Sequence, residues 1–400
     1  MKKTTRILGI LLIAAMLLGA LAMTASAAPA TTTVDGATYY EIGSAEDLVW
    51  FANEVNENNQ YKINGKLTAN IDLSLVCSET LGSWKPISGY KGIFDGAGFE
   101  ISGLYCTGQE MGGLFGRLYD ANAVVKNVTV RGYVSGTRYV GGVVGYLYST
   151  GAKVINCVNY ATVSASNSST SNDLYIGGVV GYFSGGEGSV IENCINYGDI
   201  TAIPTVSGAD VNIGGITGQS VTGSVIRNCA NYGDVSDGDT TSVGWVNAGG
   251  IVGFTRGNVI NCYNEGDLHQ YGVRNSQKLG GIAGSAYDSA KIENCFNNGS
   301  ISSNANASLG AVTGELYGTI NNTYWNTEKT SLNASAYLSS ASTVNNTSGL
   351  SAAELATGAV AYKMGDDWGQ KIGTDPTPVL GGLKVYRNVE PTSTCSNPVY

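Results

Sequence analysis

The sequence predicts an all-β protein folded as a parallel β-helix, in which one structural unit stacks on the next. The first observation is a glycine-rich pentapeptide that recurs seven times, with first glycines 29 to 37 residues apart: GGLFG 112–116, GGVVG 141–145 and 177–181, GGITG 214–218, GGIVG 249–253, GGIAG 280–284 and GAVTG 310–314. The second is an Asn-Cys pair that follows five of these pentapeptides and ends at Cys157, Cys194, Cys229, Cys262 and Cys295. A phrase repeated at near-constant period indicates a stack of identical units.

Each unit contains three short runs rich in β-branched residues, separated by glycine or polar turns. In one unit these runs read IGGVVGYF, SVIENCIN and YGDITAI. Their alternating apolar residues predict strands, and three strands per unit fit one coil of a β-helix. The alternative architecture is a seven-bladed propeller, but its blades need four strands and about 40 residues or more. The spare length lies before the glycines, at 164–173, 205–212 and 236–245, and predicts loops on one face.

Asparagine and cysteine recur at fixed positions of the unit. Equivalent residues of a stack lie about 4.8 Å apart, so the asparagines are expected to hydrogen-bond along it. The five repeated cysteines predict a column of buried free thiols, because side chains that point the same way rarely meet disulfide geometry. Cys77, Cys106 and Cys395 fall outside the register, and the sequence leaves their state open.

The first 27 residues are interpreted as a signal peptide. Lys2, Lys3 and Arg6 precede an apolar stretch at 7–23, and a small-residue cleavage site ends at Ala27. An uncleaved membrane anchor is the alternative. We therefore expect a secreted protein, extracellular or at the cell surface, with no membrane span after signal cleavage.

Capping segments are predicted at both ends of the stack. Residues 34–110 are assigned to an N-terminal cap helix and first coils, because Ser44 begins an amphipathic pattern that places Leu48, Phe51 and Val55 on one face. Residues 111–325 hold the repeats. Residues 326–388 are assigned to a C-terminal capping segment, whose helix begins at a Ser351–Glu354 capping box, and residues 389–400 to a tail or linker.

The combined motifs resemble the GLUG-motif repeat of bacterial secreted and surface proteins. The core of the resemblance is GG-x-x-G followed by N-C-x-N. The preceding AEDLVWFANEVN and LTANIDLS and the closing LSAAELATGAVAYKM extend it over roughly residues 40–388. The resemblance implies a right-handed parallel β-helix on an exported, modular protein. The outermost units depart from the motif, with Val128 and Thr323 in place of the cysteine, Ala311 in place of a glycine and Trp325 in place of an asparagine.

Composition argues against a nucleic-acid partner. The chain has 22 basic and 31 acidic residues, and three of the basic ones lie in the signal peptide, which leaves a net charge of −12. No basic stripe exists to meet a phosphate backbone.

Catalysis is not expected, although some relatives in the resembling family are immunoglobulin A peptidases. The one histidine, His269, is insufficient for an H-E-x-x-H zinc site, and no G-x-S-x-G elbow occurs. The alternative is a carbohydrate-active hydrolase or lyase that uses the repeated acids Asp199, Asp234 and Asp267, which are also the candidate metal ligands. The competing interpretation makes these acids turn residues bonded to local backbone.

A binding function is the main prediction, with no cofactor. Tyr160, Tyr197 and Tyr232 share one position of the unit, and an exposed aromatic column can contact sugars or a protein partner. The competing interpretation is an aromatic ladder that only stabilises the sheet. The sequence thus predicts a structural or adhesive module that contacts an extracellular glycan or a host or neighbouring surface protein.

Overall fold

The computed structural model describes residues 27–387, except 168–172, 206–207, 239–243, 273–276 and 305, together with 398–399. The predicted signal peptide and most of the tail lie outside these residues. The described chain forms a parallel β-helix, which confirms the fold predicted from the repeats. Each full coil contributes strands to three sheets, numbered here in the order in which the chain enters them after the glycine pair.

Sheets 1 and 2 each take one strand from every full coil, and sheet 2 has three further strands at its N-terminal end. Sheet 1 is parallel throughout and comprises Ile87–Tyr90, Phe115–Leu118, Val144–Leu147, Val180–Phe183, Thr217–Ser220, Val252–Thr255, Ala283–Ala286, Thr313–Leu316 and Ser335–Leu338. Sheet 2 begins with one antiparallel pair and is parallel thereafter; its strands are Thr31–Val34, Ala37–Ile42, Asn64–Leu67, Ile93–Asp95, Val124–Lys126, Lys153–Ile155, Val190–Glu192, Val225–Arg227, Asn258–Ile260, Lys291–Glu293, Thr319–Asn321 and Thr343–Asn345.

Sheet 3 is divided into short strands, so that a full coil has five strands where the sequence predicted three. The first coils cross it in long strands, and later coils break at the G-D turn and at the loop before the glycine pair. Its strands are Ile71–Asp72, Glu100–Gly112, Thr129–Gly141, Val158–Asn159, Thr162–Ala165, Leu174–Gly177, Ile195–Asn196, Ile200–Ala202, Val211–Gly214, Ala230–Asn231, Val235–Asp237, Val246–Gly249, Tyr263–Asn264, Leu268–Gln270, Gln277–Gly280, Phe296–Asn297, Ile301–Ser303, Ser308–Gly310, Tyr324–Asn326 and Ser348–Leu350.

The Asn-Cys pair forms the corner between sheets 2 and 3. The asparagine of each pair has a positive φ, for example 53° at Asn156 and 55° at Asn228, and asparagine tolerates this left-handed conformation better than most residues. The turn directs the next side chain inward. All five repeated cysteines are fully buried and free, and Cys77 and Cys106 are also buried and free. The predicted column of buried thiols is confirmed.

The second asparagine of N-C-x-N forms a buried ladder. Asn196 Nδ2 donates to Asn231 Oδ1 of the next coil at 2.8 Å and to Gly198 O at 2.8 Å. The same pair of bonds repeats in the neighbouring coils, and these asparagines are fully buried. Because every amide in the ladder has partners, the column stabilises the coil corner without leaving buried polar groups unpaired.

The second glycine of GG-x-x-G packs directly against this ladder. A Cβ added at Gly215 would overlap Asn231 Cγ and the carbonyl oxygen of Gly250. Equivalent overlaps with the paired asparagine occur at Gly178 and Gly281. The glycine pair and the N-C-x-N phrase therefore occur together in the sequence because they are two halves of one packing arrangement.

Helix α1 (Ala45–Asn56) covers the N-terminal end of the stack. Ser44 caps it by accepting the amide of Asp47 at 3.1 Å. Its buried face includes Leu48, Phe51 and Val55, and the Phe51 ring lies 5.9 Å from the ring of Phe94 in the coil below. A single amphipathic helix thus closes the apolar interior at this end.

The C-terminal segment contains one more coil and then returns along the flank of the stack. Ser335–Leu338, Thr343–Asn345 and Ser348–Leu350 pair in register with the coil before them. Beyond them, α2 (Ala352–Leu355), α3 (Ala359–Met364) and an antiparallel pair, Trp368–Gly369 with Val379–Leu380, follow. A last pair joins Tyr386–Arg387 to Pro398–Val399.

The helices α2 and α3 lie on the outer face of sheet 3, whereas the sequence interpretation placed a helix across the end. Leu355, Val360 and Met364 join one buried cluster with Ala230, Tyr263, Phe296 and Tyr324, which are the outward residues of successive coils. The inward residues Leu338 and Val344 of the last coil remain 53% and 36% exposed. The flank offers several aromatic side chains for burial and the end of one coil offers few, so the apolar helices follow the flank.

Candidate functional site

The three predicted tyrosines form a continuous ladder on the outer surface. The ring centroids of Tyr160 and Tyr197 are 4.6 Å apart and those of Tyr197 and Tyr232 are 4.8 Å apart, with interplanar angles of 9° and 11°. Each ring is 37–41% exposed. The Tyr197 amide donates to Asn159 O at 2.7 Å and the Tyr232 amide to Asn196 O at 2.7 Å, so the buried asparagine ladder fixes the spacing of the rings.

The ladder presents ring edges and hydroxyls, because the ring faces are occupied. Tyr197 is stacked on both sides, the Arg131 guanidinium lies 3.7 Å from the ring centroid of Tyr160, and Tyr263 contacts Tyr232 edge-on. A sugar ring therefore has no free aromatic face to stack on. Burial raises the pKa of the Tyr197 and Tyr232 hydroxyls, so both remain protonated hydrogen-bond donors at neutral pH.

A groove of about 430 Å³ runs between the ladder and the C-terminal segment. Its floor is formed by Ile195 and Ala230, and Tyr232 lies at one side. The corner asparagines Asn193 and Asn228 lie at the other side. The C-terminal segment completes the lining with Asp366, Asp367, Leu380 and Gly381.

The corner asparagines form a second, exposed ladder parallel to the tyrosines. Asn156 Nδ2 donates to Asn127 Oδ1 at 3.0 Å and Asn193 Nδ2 to Asn156 Oδ1 at 2.9 Å. The outward residue Ile195 lies between Asn193 and Tyr197 in the chain. Two rows of polar groups with the periodicity of the coils thus flank an apolar strip, which suits an extended polymer bound along the stack.

The three repeated aspartates hold one coil to the next. Asp199 Oδ1 accepts the amide of Asp234 at 3.1 Å, Asp234 Oδ1 accepts that of Asp267 at 2.9 Å, and Asp267 Oδ1 accepts that of Ser300 at 2.8 Å. All three side chains are exposed, and other residues line the groove. Across the residues that the structure describes, no group of three or more His, Cys, Asp or Glu is placed to hold a metal ion. The carboxylates therefore join coils: they bond the backbone of the next coil, whereas the turn interpretation expected bonds to their own local backbone.

The single histidine belongs to the surface of sheet 3. His269 lies in the strand Leu268–Gln270, and its Nδ1 is 2.6 Å from Ser302 Oγ. Its ring centroid lies 4.0 Å from that of Tyr271. These contacts place the imidazole among neutral partners on a sheet face.

A second group of tyrosines was missed by sequence reasoning. Tyr139, Tyr146, Tyr175 and Tyr182 meet where sheet 3 turns into sheet 1, with ring centroids 4.6–5.6 Å apart. The signal was present in the repeat, because a tyrosine directly follows the third glycine of two units and stands two residues before the glycine pair of the same two. These positions point outward on both sides of the glycine corner.

The stack of coils with its outer ladders defines a β-solenoid protein. Among solved structures, a "putative immunoglobulin A1 protease" from Bacteroides ovatus is similar, with a TM-score of 0.54, 21% sequence identity, and coverage of 87% of this chain and 93% of that chain. At this identity the similarity shows the fold alone, and the fold agrees with the one that the GLUG resemblance implied. No family model and no curated protein match the sequence. Within the described residues, no helix is long and apolar enough to cross a membrane.

Proposed function

We propose that this protein is a secreted or cell-surface, non-catalytic binding module that holds an extended neutral polysaccharide along the tyrosine ladder. The main support is the row of tyrosine hydroxyls, whose rings are spaced 4.6–4.8 Å apart. The row lies beside a groove that is lined by Ile195 and Ala230. The apolar signal peptide and the all-β fold support export, and the β-solenoid provides the rigid support that repeated weak contacts need.

Hydrogen bonding is the chemistry of this surface. Tyrosine hydroxyls and asparagine amides each donate and accept, as sugar hydroxyls do. The acids Asp366 and Asp367 lie in the groove wall, so a negatively charged polymer would be repelled there. A neutral glycan is the polymer that fits both observations.

The test removes the hydroxyls and keeps the rings. In the triple variant Tyr160→Phe, Tyr197→Phe and Tyr232→Phe the stack is retained, so folding is expected to be unchanged. Loss of three neutral hydrogen bonds, each contributing about 0.5–1.5 kcal/mol, is expected to weaken binding by about tenfold or more. Affinity electrophoresis with xyloglucan, galactomannan and laminarin measures the effect.

Tyr271→Phe is the matched control, because Tyr271 is 48% exposed and lies outside the ladder. The control is expected to bind as the wild type does. Retention of full affinity by the triple variant, or no retardation of the wild type by any of the three neutral polymers, would contradict the proposal.

A further inference from the structure

A separate cavity lies at the N-terminal end of the stack, away from the tyrosine ladder. Its volume is about 650 Å³, within the range of small-molecule sites. It opens between α1 and the first coils, and its lining includes Asn56, Tyr61, Lys91, Met111, Arg117 and Tyr119.

Two cations converge on one aromatic ring in this cavity. The Arg117 guanidinium carbon lies 4.1 Å from the ring centroid of Tyr119, and Lys91 Nζ lies 5.5 Å from the same centroid. The Lys91 ammonium also lies 5.2 Å from the Tyr61 ring. Backbone bonds fix this arrangement, because Lys91 donates to Tyr61 O at 2.8 Å and Tyr119 donates to Tyr90 O at 2.8 Å.

Neither cation has a carboxylate partner among the ion pairs of the described residues, whereas the neighbouring charges are compensated. Lys85 pairs with Glu57, and Glu110 Oε1 accepts from Arg138 Nη1 at 3.2 Å. The Nε of Arg117 is shielded from solvent and has no acceptor among the residues that the structure describes. In a protein of strong net negative charge, two uncompensated cations at one cavity mark a site prepared for an anion.

The remaining lining suits a sugar. Tyr61 is partly buried and Met111 adds a further apolar surface, whereas the Tyr119 ring is stacked on that of Tyr148 at a centroid distance of 4.9 Å. Asn56 is held in place, since its Nδ2 donates to Pro86 O at 3.1 Å and its Oδ1 accepts the Ser88 amide at 2.9 Å. Aromatic walls with converging cations recognise a ring that carries an acidic group.

We propose that this cavity binds an acidic saccharide unit, whose carboxylate or sulfate contacts Lys91 and Arg117 while its pyranose ring packs against Tyr61. The site is independent of the neutral-glycan ladder proposed above. It assigns the protein a second specificity, for the charged units of an extracellular polysaccharide.

Isothermal titration of the secreted chain with polygalacturonate and with its fully methyl-esterified form tests the carboxylate directly. Dextran sulfate against dextran tests sulfate in the same way. We expect at least one acidic polymer to bind and its neutral counterpart to have an affinity at least about tenfold lower. The affinity for the acidic polymer is expected to fall with added salt. A single-stranded oligonucleotide supplies charge without a pyranose ring and is expected to bind poorly.

Arg117→Gln and Lys91→Gln are each expected to weaken binding of the acidic polymer by about tenfold. Arg117→Lys keeps the charge and is expected to recover part of the affinity, which separates recognition from folding. Lys153→Gln, on the exposed face of sheet 2, is the control and leaves binding unchanged. The proposal is overturned if no acidic polymer binds, or if the acidic polymer binds no better than its neutral counterpart or the oligonucleotide. It is also overturned if Arg117→Gln and Lys91→Gln both bind with unchanged affinity. These outcomes do not depend on the result with the tyrosine variants.

Discussion

At the residue scale, the second glycine of GG-x-x-G allows neighbouring coils to pack closely because it has no side chain. In five of the pairs the second glycine lies against the buried asparagine of its own coil and a backbone carbonyl of the next coil, where a methyl group has no space; these glycines are Gly142, Gly178, Gly215, Gly250 and Gly281. Glycine is required at these five positions by close approach, since none of them is among the residues with positive φ. A glycine-rich motif of the kind that cradles ligands in other proteins therefore serves coil packing here.

Gly215→Ala tests this packing against a matched glycine. The added methyl group would overlap Gly250 O and Asn231 Cγ, so we expect a loss of about 2–3 kcal/mol or more in the free energy of unfolding. Gly186→Ala is the control, because the nearest atoms to its Cβ are 3.6 and 3.7 Å away, and its stability is expected to change by less than about 0.5 kcal/mol. Urea denaturation measures both, and equal stability of the two variants would show that the close approach is unimportant.

The residue patterns predicted the columns of cysteine, asparagine and tyrosine side chains, but they did not predict the role of every column. Alternation and period predicted the coil, the buried thiols and the stacked asparagines, because these follow from inward and outward positions along a strand. The role of the aspartates needed the structure, since only the bond from Asp234 N to Asp199 Oδ1 shows that the carboxylate joins two coils. Likewise the sequence placed Tyr197 in a column and left open whether the rings form a ladder, and only the structure shows that both faces of the Tyr197 ring are covered.

At the scale of elements, helix α1 determines whether the stack is closed at its beginning. Phe51 is fully buried and its ring contacts Tyr90 and Phe94 at 5.9 Å. The helix face and the coil below it form a single apolar cluster. The cap therefore contributes to the core of the first coils and also protects their strand edges.

Phe51→Ala is expected to lower the free energy of unfolding by about 3–5 kcal/mol, because it leaves a cavity between the helix and the first coils. Asn53→Ala on the exposed face of the same helix is expected to change stability by less than about 0.5 kcal/mol. Thermal melting followed by circular dichroism distinguishes them. A small effect at Phe51 would mean that α1 is not part of the cooperative core.

In the C-terminal segment, sequence patterns predicted a helix but not the extra coil or the surface that the helices cover. The extra coil at 335–350 lacks the glycine pair and the cysteine, although Asn346 repeats the positive φ of Asn322. The amphipathic pattern predicted helix formation near Ser351, and the capping box to Glu354 is present. It did not predict the surface that the helices cover, because that choice depends on outward residues from several coils, such as Tyr263 and Phe296.

At the scale of the whole molecule, the stack is a rigid support with one covered flank. Residues 351–387 cover the outward side chains of four coils and form one wall of the groove beside the tyrosine ladder. The two proposed sites lie at separate places, one on this flank and one beside the N-terminal cap. A protein of this form can hold a polysaccharide at more than one point.

A chain that ends at Leu350 tests the role of the flank. The β-helix is expected to remain folded by circular dichroism, whereas exposure of Tyr263, Phe296 and Tyr324 is expected to raise binding of a hydrophobic dye and promote aggregation. A chain that ends at Arg387 keeps the flank covered and serves as the control. Equal dye binding by the two chains would show that the segment does not protect this surface.

We propose that the stack binds polysaccharide on its outer surface without cleaving it. The most direct measurement follows the chain length of a bound polysaccharide over time by size-exclusion chromatography with light scattering, using the wild-type protein and Asp234→Asn. We expect both proteins to bind the polymer and to leave its full length unchanged. Shortening by the wild type that is lost in Asp234→Asn would contradict it and would identify a carbohydrate-active enzyme.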